Sequence, residues 1–184
     1  MTEVLTQAPA GEAEPNPLLD GLRLTRMPAP CAVVIFGASG DLTQRKLIPA
    51  LYALAAEGAL PPGVSIIGAA RTPMSDEQFR AAMRTAIEQH SRVPLREDVW
   101  DGFAAGLFYA HFDLEHDDGL DVLKSRLDES DRTRGTAGNR IFYFSVPPTG
   151  VLPLADKLLQ AGLCQQGPDN FRRVVIEKPF GRDI

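Results

Sequence analysis

Hydrophobic positions along this chain fall into two alternating rhythms. Residues 31–36 run apolar around β-branched Val33, Val34 and Ile35, which predicts a strand. The run ends at a turn carrying Gly37 and Gly40, after which Leu47, Leu51 and Leu54 recur at helical spacing. That predicts a helix over about residues 42–57, with Pro49 expected to kink it or confine its first segment to a short turn. Gly58, Pro61, Pro62 and Gly63 break the chain before a second apolar run at 64–70. Ser75 and Gln78 form a capping-box pair ahead of Phe79, Met83 and Ile87, a helix ending near His90.

The same alternation continues to the carboxyl end. Residues 95–105 are weakly helical through Val99 and Phe103, and 107–112 read as a third strand. Leu120, Leu123 and Leu127 give a further helix, and 131–139 read as a polar, glycine-containing loop. A fourth strand at 141–146 stops at Pro147-Pro148, and Thr149 is placed to cap a helix carrying Val151, Leu154, Leu158 and Leu159. Residues 173–177 make a fifth strand that ends at Lys178.

Strands separated by helix-length crossovers predict an α/β fold, a doubly wound, mainly parallel sheet of the Rossmann type covered on both faces. Ligands in such sheets sit beyond the carboxyl ends of the strands. The residues there are 37–42, Arg71 and Thr72, Asp113, Pro147 and Pro148, and Lys178. A strand, a glycine turn and a helix in that order bring backbone N–H groups and the positive helix end to an anion, most often a pyrophosphate. A phosphate-loop NTPase is excluded, because Lys46 is followed by Leu47 where Ser or Thr is required.

Composition narrows this reading. A length of 184 residues with 44% hydrophobic residues suits one well-cored domain, expected at 30–184. The proline- and alanine-rich residues 1–29 read as a flexible extension with too little apolar surface to fold alone. A net charge of -5 argues against nucleic acid or an anionic membrane as partner. Two cysteines, Cys31 and Cys164, give neither a disulfide framework nor a zinc site, and no metal centre is expected. Neither a secretory signal nor a span-length apolar segment is legible, which points to the cytoplasm.

Arg71 carries the most chemical information. A dinucleotide fold that prefers NAD presents an acid at the end of its second strand, whereas a guanidinium there suits the 2′-phosphate of NADP, with Ser39 adding a hydroxyl. A lone strand-end arginine is otherwise an ordinary solvated residue. Lys178, between Glu177 and Pro179, is placed to approach both cofactor and substrate, and Pro179 is a candidate for a cis bond. His90, His111 and His116 sit in no nucleophile or metal setting and read as structural or solvated.

These segments together resemble a known family. Gly37-Ala38-Ser39-Gly40-Asp41-Leu42 with Arg45-Lys46-Leu47 and Pro49, then Ile67-Gly68-Ala69-Ala70-Arg71, Tyr143-Phe144-Ser145-Val146-Pro147-Pro148 and Glu177-Lys178-Pro179-Phe180-Gly181 are similar to the amino-terminal domain of glucose-6-phosphate dehydrogenases, most of all actinobacterial ones. The resemblance covers about residues 30–184. It implies that Gly37, Ala38, Ser39, Gly40, Asp41 and Leu42 line the NADP pyrophosphate and ribose, with Arg71 at the 2′-phosphate and Asp113 near the adenine. Tyr143, Pro147 and Pro148 would lie on the nicotinamide side, and Lys178 would contact both cofactor and sugar phosphate.

The implied reaction is oxidation of the C1 hydroxyl of glucose 6-phosphate to a lactone, with hydride passing to NADP. The family's sugar-phosphate segment and its general-base histidine have no counterpart in these residues, nor does its second, α+β substrate domain, which carries the homo-oligomer interfaces. The expectation is therefore a truncated, cofactor-binding part that is catalytically incompetent alone. A different reading is a non-catalytic NADP-binding or subunit-assembly module.

Overall fold

In the computed structural model, which describes residues 27–115 and 119–178, strand β1 (Ala32–Phe36) occupies the middle of a five-stranded sheet. Residues up to 26, His116 and Pro179-Phe180-Gly181 lie outside the described residues, and with them most of the expected extension and the isomer of the Lys178-Pro179 bond. The other strands are β2 (Ser65–Ala70), β3 (Leu107–His111), β4 (Arg140–Phe144) and β5 (Arg172–Ile176). Their order is β3-β2-β1-β4-β5 and every pairing is parallel. Because the chain leaves β3 at one edge and returns on the far side of β1, the sheet has a switch point between β1 and β4.

Helices α1 (Ile48–Ala56), α2 (Asp76–His90) and α3 (Glu97–Ala104) cover one face, where Tyr52, Phe79, Met83 and Phe103 join Ile35 and Tyr109 in one buried cluster. Helices α4 (Gly119–Arg134) and α5 (Pro148–Gln160) cover the other, packing Leu123, Leu127, Leu154 and Leu158 against Phe36, Phe142 and Phe144. The period-2 alternation of side chains along β1 splits its residues between the two cores. Gly68 lets α2 pack tightly on β2, since a Cβ there would lie 2.5 Å from the Phe79 ring.

Four expectations change in detail. The kink expected at Pro49 is a π-helical turn, Thr43–Leu47, in which the Ile48 N–H donates to the Thr43 carbonyl. This widened turn accommodates a ring that would otherwise press on the preceding turn's carbonyl. The polar loop expected at 131–139 is partly helix, because α4 runs on to Arg134. Thr149 does not cap α5, which starts one residue earlier with Pro147 at its cap position. Proline at the first helical position needs no such help, its missing N–H being one of the groups a helix start leaves unpaired. The fourth strand ends at Phe144, so Ser145 belongs to the crevice described below.

The two sheet edges differ. Along β3 the outward backbone groups are satisfied by side chains: Asp76 Oδ1 accepts from the Tyr109 N–H at 2.7 Å. Arg80 donates to the Leu107 carbonyl at 3.0 Å and Arg126 to that of Tyr109 at 3.3 Å. Along β5, Val174, Val175 and Ile176 are 47%, 39% and 41% exposed, and no strand pairs with its outer edge among the described residues.

Candidate functional site

The turn after β1 is built by backbone constraints. Gly37 has φ +85°, and a Cβ there would fall 2.0 Å from the Ser145 carbonyl oxygen, so only glycine lets the turn after β1 pass this close to the backbone leaving β4. The Gly37 and Ala38 N–H groups donate to the Ala69 carbonyl at 2.9 and 3.2 Å, and the Ser145 N–H donates to that of Phe36 at 3.0 Å. The turn also closes on itself: the Gly40 N–H and the Thr43 hydroxyl donate to the Gly37 carbonyl at 2.9 and 3.3 Å. Ser39 and Gly40 remain exposed at its tip. The helix that follows presents its first-turn N–H groups there, a setting that favours an anion.

Beside this turn the carboxyl ends of β1, β2, β3 and β4 enclose a crevice of about 420 Å³. The β1 turn contributes Gly37, Ser39 and Gly40, and β2 contributes Arg71 and Thr72. After β3 come Phe112, Asp113 and Glu115, where the Glu115 N–H donates to Asp113 Oδ1 at 3.0 Å and fixes the loop as an Asx turn. Lys157 of α5 donates to the Leu114 carbonyl at 3.0 Å and ties that loop to the far wall. The fourth wall is Ser145, Pro147, Thr149 and Gly150 at the start of α5. Among the described residues lining the crevice, Arg71 is the single cation and Asp113 and Glu115 are the acids.

The crevice thus gathers seven of the residues singled out from sequence: Gly37, Ser39, Gly40, Arg71, Thr72, Asp113 and Pro147. Ala38 is wholly buried beneath the turn, against the face that carries Phe79. Asp41 is exposed and pairs with Arg45 at 3.6 Å, Leu42 is half-buried, and Pro148 opens α5. Tyr143 lies outside the crevice, on the sheet face shared with α1, where its hydroxyl donates to Glu177. Burial and that carboxylate together push its phenol up to about 12. Lys178 follows, exposed, at the end of β5. His90 and His111 do not line the crevice.

Sequence reasoning missed Glu115, Ser145, Thr149 and Gly150 as lining residues. Ser145 was legible in principle from the strand-end rule, had the fourth strand been ended two residues sooner. The others are contributed by loop and helix geometry that carries no local signal.

Residues 34–184 match the family described as glucose-6-phosphate dehydrogenase, NAD binding domain. The chain belongs to the glucose-6-phosphate dehydrogenase family. It is 40% identical over 171 residues to glucose-6-phosphate 1-dehydrogenase 2 of Mycobacterium bovis, covering 92% of this chain and 33% of that protein. With glucose-6-phosphate 1-dehydrogenase of Chlamydia pneumoniae it shares 43% over 169 residues, 90% of this chain and 33% of the relative. Among solved structures, a glucose-6-phosphate dehydrogenase in complex with glucose 6-phosphate superposes with a TM-score of 0.72 at 30% identity, over 85% of this chain and 32% of that one. The enzyme from Mycobacterium avium gives 0.70 at 28% identity, over 85% and 31%.

The chain therefore spans about a third of the length of these glucose-6-phosphate dehydrogenases. What it carries is the family's nucleotide-binding domain, and the family is one of NADP-dependent oxidoreductases. Among the described residues no helix is long and apolar enough to cross a membrane, and no cluster of three candidate metal ligands occurs.

Proposed function

We propose that this chain is the NADP-binding part of a glucose-6-phosphate dehydrogenase, the enzyme that oxidises glucose 6-phosphate to 6-phosphoglucono-1,5-lactone. The observation that carries the reading is Arg71, among the described residues the single cation lining a crevice whose other wall is the Gly37–Gly40 turn with Ser39 at its tip. The crevice residues fit a phosphorylated dinucleotide. Gly37 lets the turn close against the Ser145 backbone, and the first-turn N–H groups of the helix that follows oppose a pyrophosphate. Arg71, exposed and hydrogen-bonding as a planar fork, meets a 2′-phosphate beside the Ser39 hydroxyl. The Asp113 turn bounds the adenine side and Pro147 the nicotinamide side.

When bound, NADP supplies the hydride acceptor. Lys178 is assigned to hold cofactor and sugar phosphate in register from the end of β5. Removing hydride from an alcohol also requires a base for the hydroxyl proton, and no described histidine lines the crevice. We therefore expect the isolated chain to bind NADP and not to turn over. Two free cysteines support a reducing, cytoplasmic setting, and the hydrogen bond from Asn139 to the Pro30 carbonyl supports a domain that starts near residue 30 after an extension at 1–29.

Titrating the chain with NADPH and NADH, followed by reduced-nicotinamide fluorescence, tests the assignment. Arg71→Ala should weaken NADPH roughly 10- to 100-fold, the worth of hydrogen bonds to a charged group, and leave NADH unchanged. Equal binding of both cofactors that ignores the substitution refutes it. Steady reduction of NADP with glucose 6-phosphate refutes the expected inactivity.

The exposed apolar strand β5 favours a second reading, a subunit-assembly module that docks on a full-length homo-oligomeric partner. Sedimentation with and without a full-length subunit separates the two, since a chain that ignores that subunit is not an assembly module.

A further inference from the structure

Strand β2 ends at Ala70, so the sheet ladder does not hold Arg71 or Thr72. Three consecutive carbonyls at this point nevertheless all receive donors from β3 and the residue after it. The Ala70 carbonyl accepts from the Phe112 N–H at 3.0 Å and lies 3.2 Å from the Tyr109 hydroxyl. The Thr72 carbonyl lies 2.5 Å from the same hydroxyl, and the Arg71 carbonyl is 2.9 Å from His111 Nε2. A carbonyl can only accept, so Nε2 is the protonated ring nitrogen in this contact. Tyr109 and His111 are two apart on β3 and share one face, which aims both at the same short stretch of backbone.

The anchor itself is rigid. Tyr109 is 3% exposed, its ring packs on Phe79 at 5.3 Å, and its own N–H is held by Asp76. Its phenol is raised above the ordinary value by burial, so the hydroxyl keeps its proton for the carbonyls. A long arginine loses much rotamer entropy when it grips a phosphate, and every backbone torsion left free at its root adds to that loss. Fixing the peptides on both sides of Arg71 removes that part of the cost before any ligand arrives.

We propose that Tyr109 and His111 are positioning residues for cofactor choice: by holding the Ala70–Thr72 backbone they set Arg71 toward the 2′-phosphate, so that preference for NADPH over NADH depends on them. This rests on the reading of Arg71 as the 2′-phosphate ligand. Neither residue lines the crevice, so both are assigned to act through the backbone that carries Arg71.

The test measures Kd for NADPH and for NADH on the 184-residue chain and its variants Tyr109→Phe, His111→Leu and His111→Gln, with a thermal melt of each. Tyr109→Phe and His111→Leu should each weaken NADPH about 3- to 10-fold while moving NADH less than about 2-fold, the scale of one hydrogen bond. His111→Gln, whose amide N–H reaches as far as Nε2, should restore the ratio. A merely structural role would lower the melt and weaken both cofactors equally, and an unchanged NADPH/NADH ratio in both loss variants overturns the inference. If Tyr109→Phe fails to fold, the two variants at half-exposed His111 decide the matter. A parent chain that binds both cofactors alike, or an Arg71→Ala chain with an unchanged ratio, brings down the Arg71 reading and this inference with it.

Discussion

Gly37 is constrained twice, by its positive φ and by the Ser145 carbonyl where a side chain would stand. Left-handed backbone costs an L-residue about 1–2 kcal/mol, and an overpacked contact about 1–3 kcal/mol more. Gly37→Ala should therefore lower the melting temperature by roughly 5–15 °C and abolish dinucleotide binding, because relief of the clash parts β1 from β4. A melt within a degree or two of the parent's would show that the turn relaxes freely. At this scale the sequence was informative where backbone chemistry restricts the choice of residue, as at Gly37, or where a charge stands at a strand end, as at Arg71. It was silent on Glu115 and Thr149, which reach the crevice through a loop turn and a helix start. Nor could it pair Tyr143 with Glu177, which meet only because β4 and β5 lie in register.

Among the elements, the joint between α4 and β4 departs most from expectation. Asp131, read as part of a loop, sits in the last turn of α4 and accepts from the Thr136 hydroxyl, the Gly138 N–H at 2.8 Å and the guanidinium of Arg140, which is 4% exposed. Local pattern hid this, because a carboxylate that organises a turn looks like any polar residue until its partners are known. Burial works to raise the Asp131 carboxyl, but the Arg140, Thr136 and Gly138 hydrogen bonds outweigh it and hold the group down to about 2. An unfolded aspartate titrates near 4, so this site adds stability above about pH 4 and loses it as the pH falls through about 2. Asp131→Asn should be less stable than the parent at neutral pH, and its urea midpoint should fall less between about pH 4 and pH 2. Parallel acid profiles for the two proteins would remove Asp131 as the source. Elsewhere the periodicities carried over well: α2 with its Ser75–Gln78 capping box and the apolar runs of β1 and β2 stand within a residue or two of where the pattern put them.

For the molecule as a whole, the contrast between the two sheet edges has a measurable outcome. Asp76, Arg80 and Arg126 close β3, whereas β5 offers exposed Val174, Val175 and Ile176 beside an edge that no strand pairs with among the described residues, the kind of strand that seeks another. The chain alone should associate reversibly as its concentration rises, and Val174→Lys should shift it toward monomer in sedimentation velocity. A parent that stays monomeric throughout refutes this. The position of β1 also bears on how the molecule is made. Its second neighbour is fastened by Asn139, which donates to the Pro30 carbonyl across 109 positions of sequence. A ribosome adding about 5–20 residues per second leaves that side of β1 open for roughly 5–20 s. The crevice needs Ser145 as well as Gly37, so it forms only after β4 has been made. A nucleotide can latch the finished sheet, but it has nothing to grip while the sheet is being built.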